Sequence, residues 1–189
     1  SVYLEEQIMK KDILWTPSKE RVENSNIKKY MNFLKARYNL SFDDYESLYQ
    51  WSVQDNLNFW NTFWYFSGIK GDKGDIILDK HEKFYESRFF TDSKINFAEN
   101  LLSRRDDSDA IVFWGEDQIK KRFSFKSLYE HVVRTALALK ELGVTSNDIV
   151  AGYTANTPET TIAALATASI GAIWCSCSPD FGIAGAMDR

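Results

Sequence analysis

Residues 147–179 read NDIVAGYTANTPETTIAALATASIGAIWCSCSP, and their punctuation decides the fold. Ile149–Tyr153 is an apolar run of strand length. Thr157 stands where a helix N-cap belongs, and Pro158 suits the first helical turn, where a missing N–H costs no bond. Glu159 complements the positive end of the helix dipole. A helix is expected over 158–170, ended by Gly171, with a second strand over 172–177. Strand, helix and strand in that order predict two parallel strands joined by a right-handed crossover. The uncharged stretch 160–178 approaches the length of a membrane span. Its Thr, Ser and Gly residues, and the division at Gly171, make it a buried segment instead.

Outward from this unit, a further helix is expected to start near Gly182 or Ile183. On the other side, 110–114 and 119–125 read as a hairpin turned by Gly115, Glu116, Asp117 and Gln118. Ser124 can cap the next helix, with Leu128, Val132, Ala136, Leu139 and Leu142 as its apolar stripe and Gly143 as its left-handed stop. Residues 67–80 (SGIKGDKGDIILDK) place Gly68, Gly71 and Gly74 beside lysines. A phosphate loop needs G-x-x-x-x-G-K-[ST] after an apolar strand. Here an aromatic helical segment precedes and no Ser or Thr follows the lysines, so a surface loop is expected.

Further upstream, Ile27, Tyr30, Met31, Leu34 and Tyr38 share one helical face. Ser41 and Asp44 resemble a capping box. Two short helices are expected over 43–52 and 56–66, the second carrying Phe59, Trp60, Phe63, Trp64, Tyr65 and Phe66 as faces packed on the rest of the protein. The chain therefore has an aromatic, charged front and, over 143–189, an apolar, small-residue back, and its expected division is a helical, aromatic region over 1–105 and the start of an α/β domain over 106–189. The expected class is α/β: a helical, aromatic-rich N-terminal extension followed by the first β-α-β units of a larger domain. So few parallel strands make an incomplete sheet, so the chain is expected to be the N-terminal fragment of a longer protein and to pack on the remainder of it.

The 189 residues are 44% hydrophobic and 26% charged, with a net charge of −4. That balance gives no basic field for nucleic acid or an anionic membrane. Two cysteines exclude a disulfide scaffold and suit a reducing compartment. The opening carries Glu5, Glu6, Lys10, Lys11 and Asp12 without an apolar core, so no signal peptide is expected and a cytoplasmic location follows.

Catalytic constellations are scarce. Cys175 and Cys177 fall on one face of a strand and are expected to be buried, reduced thiols without metal. His131 is expected to be solvated on its helix, and His81 lies in a lysine-rich loop. Neither forms a triad or a ligand set with other residues. Ligands of open α/β sheets bind beyond the carboxyl ends of strands. This leaves two loops with a topological claim to a site: Asn156-Thr157-Pro158-Glu159, and Ser178-Pro179-Asp180-Phe181-Gly182.

Residues 147–153 with 156–159, then 168–174, resemble the N-terminal part of the adenylate-forming acyl-CoA synthetases. Leu14-Trp15-Thr16-Pro17-Ser18, Trp51-Ser52-Val53 with Phe59-Trp60, and Asn96-Phe97-Ala98-Glu99-Asn100-Leu101-Leu102 resemble the entry region of the short-chain members. The stretch 176–182 is most similar to members acting on acetoacetate; those acting on acetate or propionate usually carry a glycine pair near Pro179 and Asp180. The resemblance implies a two-step ligation. A carboxylate and ATP, with Mg²⁺, give an acyl-adenylate and diphosphate, and the thiol of coenzyme A then displaces AMP. It places the phosphate loop, the nucleotide contacts and the catalytic lysine downstream of Arg189, so no catalytic or metal-binding residue is expected in this chain. No cofactor is expected to bind the fragment alone, and the fragment is expected to be inactive. Ser178, Pro179, Asp180, Phe181 and Gly182 are similar in position to a loop on the coenzyme A side. Two alternatives remain open: a ligase for another short-chain acid such as acetate or propionate, and a non-catalytic interaction module reusing the fold.

Overall fold

The computed structural model describes residues 14–116 and 118–188. The charged opening segment, Asp117 of the hairpin turn and Arg189 lie outside the described residues. The chain forms two compact units, Ser1–Gly68 and Ile69–Arg189.

In the first unit, Ser18 caps α1 (Lys19–Glu23) and Ser25 caps α2 (Asn26–Tyr38), each hydroxyl accepting a first-turn N–H at 3.2 Å. Helix α2 stops at Asn39, whose left-handed backbone (φ 56°) lets the Leu40 N–H reach back to the Leu34 carbonyl. Tyr30, Met31 and Leu34 are buried as the stripe predicts, but Ile27 at its edge is 45% exposed. Of the two following helices, α3 (Tyr45–Gln54) starts and ends two residues later than expected, and α4 (Asn56–Ser67) starts as expected and ends one residue later. The capping box also moves. Asp44, expected as the acid of a Ser41 box, is itself the N-cap, accepting the Ser47 N–H at 2.8 Å while the Ser47 hydroxyl accepts from Asp44. These bonds hold the Asp44 carboxyl below the usual carboxylate range. Gly68 closes α4 in the left-handed region.

The core of this unit is aromatic. Tyr30 meets Phe59 and Phe63 edge-on, at 6.1 and 5.7 Å between centroids. Its hydroxyl pairs with Thr62 Oγ1 at 2.8 Å, and burial pushes the phenol pKa up.

The second unit opens with two small antiparallel pairs, β1 (Gly71–Asp72) with β4 (Lys94–Ile95) and β2 (Leu78–Asp79) with β3 (Arg88–Phe89). Helix α5 (Phe97–Leu101) follows, then the hairpin β5 (Asp109–Gly115) and β6 (Ile119–Ser124), with a register shift between Asp109 and Ile111. Helix α6 (Phe125–Glu141) is capped by Ser124 as expected. Strand β7 (Ile149–Tyr153), helix α7 (Pro158–Ser169) and strand β8 (Ile173–Cys177) form the expected unit, with β7 and β8 parallel and in register from Ile149↔Ile173 to Tyr153↔Cys177. A short helix α8 (Ile183–Met187) follows. Ala98, Leu102, Leu128, Val132, Ile162, Leu165 and Ala166 bury one core between α5, α6 and α7.

Three expectations are corrected in this unit. Leu142 lies beyond α6 and is 81% exposed, because the chain has already turned toward Gly143 (φ 87°). His131 is half-buried rather than solvated, its ring 5.4 Å from Phe123 of the hairpin in an edge-on contact. Thr157 stands at the N-cap of α7, but its side chain makes no capping hydrogen bond. No helix among the described residues is long and apolar enough to cross a membrane.

Candidate functional site

The parallel register sets Tyr153 beside Cys177 at the carboxyl end of the β7-β8 pair, so the chain leaves both strands at one edge. Asp148 prepares this arrangement from the other end. Its carboxylate accepts the Thr145 N–H at 2.6 Å and the Thr145 hydroxyl at 2.8 Å, while its carbonyl accepts the Ile173 N–H at 2.9 Å. The Thr145 N–H, chiefly, holds the Asp148 carboxyl below its ordinary pKa.

The first candidate loop lines a depression. Asn156, Thr157, Pro158 and Thr161 face Ile111–Trp114 of the hairpin across an open hollow of about 460 Å³. Glu159 belongs to this side. The Lys121 ammonium, 2.7 Å away, holds its carboxyl at about 2, with help from its own backbone N–H and from Thr157. The Glu159 carboxylate therefore ties the start of α7 to β6 and carries the negative charge expected at a helix N-terminus.

The second loop forms a turn on itself. The Phe181 N–H donates to the Ser178 carbonyl at 3.1 Å. The Asp180 N–H donates to Ser178 Oγ at 3.2 Å, and that hydroxyl donates to Asp180 Oδ2 at 3.1 Å. Gly182 stands at the start of α8 with an extended backbone. Tyr153 joins this turn from β7. Its hydroxyl lies 2.9 Å from the Pro179 carbonyl and 2.8 Å from the Phe181 carbonyl. Spacing alone did not single out Tyr153. The available signal was an aromatic residue with a polar tip, ending a parallel strand whose neighbour runs into a loop.

Cys175 and Cys177 are free and only half-buried, a correction to the expectation of full burial. With Ile149, Ala151, Tyr153 and Ala186 they line a shallow apolar groove of about 190 Å³ whose open side leaves the thiols partly exposed. No group of three or more His, Cys, Asp or Glu among the described residues is placed to hold a metal.

The glycine loop is closed by an internal anion. Asp92 accepts the Asp75 N–H at 2.8 Å and the Ile76 N–H at 3.1 Å, and these N–H groups, the first above all, lower its pKa. Gly74 fits only without a side chain: its φ is +70° and a Cβ would sit 2.3 Å from Asp92 Oδ1. A phosphate approaching these N–H groups would meet the Asp92 carboxylate already bound to them.

The Asn96–Asn100 stretch is also accounted for by structure. Asn96 Oδ1 caps α5 by accepting the Glu99 N–H, while its Nδ2 donates to the Ala168 carbonyl at 2.9 Å, at the end of α7. Asn100 both accepts from the Lys70 N–H at 2.8 Å and donates to the Lys70 carbonyl at 2.9 Å.

A family model described as AMP-binding enzyme matches residues 97–186. The acetoacetyl-coenzyme A synthetase of Rhizobium meliloti (strain 1021) is 40% identical over 176 residues, which are 93% of this chain and 27% of that protein. A malonamoyl-CoA synthetase of Penicillium aethiopicum is 31% identical over 186 residues, 94% of this chain and 25% of that protein. The structure of acetoacetyl-CoA synthetase from Streptomyces lividans superposes with a TM-score of 0.78 at 27% identity, covering 93% of this chain and 28% of that one. The chain thus spans about a quarter of the length of these proteins. Residues 97–186 are thus similar to AMP-binding enzymes, and along nearly its whole length the chain is similar to the N-terminal quarter of acetoacetyl-CoA synthetases.

Proposed function

We propose that the protein carrying this chain is an acid–thiol ligase converting acetoacetate, ATP and coenzyme A, with Mg²⁺, to acetoacetyl-CoA, AMP and diphosphate in the cytoplasm. The similarity to acetoacetyl-CoA synthetases over 93% of the chain carries this reading, because it includes the aromatic helices as well as the β-α-β unit. We also propose that residues 1–105 are the N-terminal region of a short-chain ligase and 106–189 the start of its AMP-binding domain. Ser178, Pro179, Asp180, Phe181 and Gly182 are then the loop on the coenzyme A side.

The described residues do not fit the phosphates of ATP. The one glycine loop beside lysines has its convergent N–H groups on Asp92. No step of adenylation is therefore routed through this chain. Its own work is to set the β7-β8 pair and the loops at its carboxyl end. The free thiols of Cys175 and Cys177 suit a reducing compartment.

The test is an assay of the full-length protein with ATP, coenzyme A and each acid in turn. Acetoacetate is expected to exceed acetate in kcat/KM by tens- to a thousandfold, about what a keto-oxygen hydrogen bond and added apolar contact provide. The isolated chain is expected to give no acid-dependent pyrophosphate exchange above background. Equal efficiencies for acetate or propionate would move the assignment to another short-chain ligase, and no ligation of any acid would favour an interaction module. A second reading is favoured by the malonamoyl-CoA synthetase relative. Malonamate carries an amide carbonyl where acetoacetate carries its ketone, so a preference for malonamate in the same assay would select it.

A further inference from the structure

We propose that Tyr153 is a positioning residue for the thioester-forming step, holding the 178–182 turn in the geometry that receives coenzyme A. The inference rests on the ligase reading above and on the assignment of that turn to the coenzyme A side. The turn has its own internal bonds, so it keeps its local shape without outside help. Those bonds do not fix where the turn stands relative to the strands. The Tyr153 hydroxyl does, its single proton shared between the carbonyls of Pro179 and Phe181, 26 and 28 residues away in sequence.

The tyrosine is 57% exposed, so its hydroxyl could be satisfied by water at little cost. An exposed hydrogen bond of this kind adds little to stability. It adds more to order, because one rigid side chain anchored in a paired strand restricts two points of a loop at once. The residue lines the groove with Ala151, Cys175 and Cys177, and its backbone is fixed by pairing with Cys177 in the parallel register. Chain order, register and hydroxyl contacts therefore converge on the single turn that follows β8. A turn that must accept a large, flexible thiol substrate gains from being ordered beforehand, since less conformational freedom is then lost on binding.

The experiment is Tyr153→Phe in the full-length protein, which removes the hydroxyl and keeps the ring. Two half-reactions separate the roles. Acid-dependent pyrophosphate exchange needs no coenzyme A; the complete reaction does. The variant is expected to keep exchange within about twofold and its melting temperature within about 2 °C, while KM for coenzyme A rises about three- to tenfold, the loss of roughly one hydrogen bond. An unchanged KM for coenzyme A would overturn the proposal, and so would a parallel fall in exchange and complete reaction, which marks a merely structural role. These outcomes are distinct from failure of the ligase reading, in which the wild-type protein itself ligates no acid.

Discussion

The aromatic helices and the β7-α7-β8 unit each bury a hydroxyl, and they treat it differently. Tyr30 places its phenol on Thr62 Oγ1 at 2.8 Å, inside a cluster of interlocking rings. Thr167 of α7 is fully buried, and its Oγ1 has no hydrogen-bond partner. The apolar surfaces differ in the same sense. Leu34 is fully enclosed, whereas Ile149 and Ile173, partners in the parallel register, are 66% and 55% exposed. Parallel strands are ordinarily covered on both faces. The strand pair thus leaves its large apolar side chains open, while the centre of the helical cluster is closed by its own rings.

That contrast can be broken at its strongest point. Leu34→Ala should cost about 3 kcal/mol in urea denaturation of the chain, since it opens a cavity among rings that cannot collapse. Ile173→Ala should cost no more than about 0.5 kcal/mol in the same measurement, because its side chain is already wet. Equal costs would remove the distinction between the regions.

The hydroxyls sharpen it on a smaller scale. Tyr30→Phe should lose about 1 kcal/mol, the net value of a buried hydrogen bond. Thr167→Val should lose nothing and gain up to about 1 kcal/mol, because it removes a polar atom that lacks a partner. A destabilised Thr167→Val chain would show that this hydroxyl has a use the contrast overlooks.

The smallest effect is electrostatic. The Glu159 carboxyl lies at about 2 in the folded chain, below its ordinary value near 4.3. The folded state therefore favours the ionised form, so this contribution is complete above the ordinary value and disappears as pH falls toward 2. Asp44, Asp92, Asp106 and Asp148 are shifted in the same direction, so the informative quantity is a difference. The gap in urea midpoint between wild type and Glu159→Gln should narrow from pH 5 to pH 2, and a constant gap would remove the ion pair with Lys121 as its cause.

The β-α-β unit was legible because its signals are local. Pro158 and Gly171 mark the ends of α7 within a residue or two, and the run 160–170 between them carries no charge. Ser124 and Gly143 frame α6 for the same reason. What spacing did not reveal depends on partners far along the chain. The carboxylate of Asp92 collects N–H groups from residues 75 and 76, and Tyr153 bonds to residues 179 and 181. His131 rests on Phe123 because a hairpin folds onto the next helix. Even the misplaced cap at Asp44 is a choice between two similar local patterns, settled by which acceptor meets the free N–H groups. The candidate site was legible as a topological position, the carboxyl end of two parallel strands, and not as a set of bonds.

Asn96 and Asn100 carry one last consequence, about chemical identity. Each uses its amide as an acceptor and as a donor at the same time, Asn96 between α5 and α7 and Asn100 toward both backbone atoms of Lys70. An aspartate of the same shape could still accept, but its second oxygen would then confront the carbonyl of Ala168 or Lys70, lone pair against lone pair. A leucine would fill the volume and answer neither neighbour. Only a carboxamide has both polarities on one planar group, so these two positions distinguish between near-isosteres that size and hydropathy treat as equivalent.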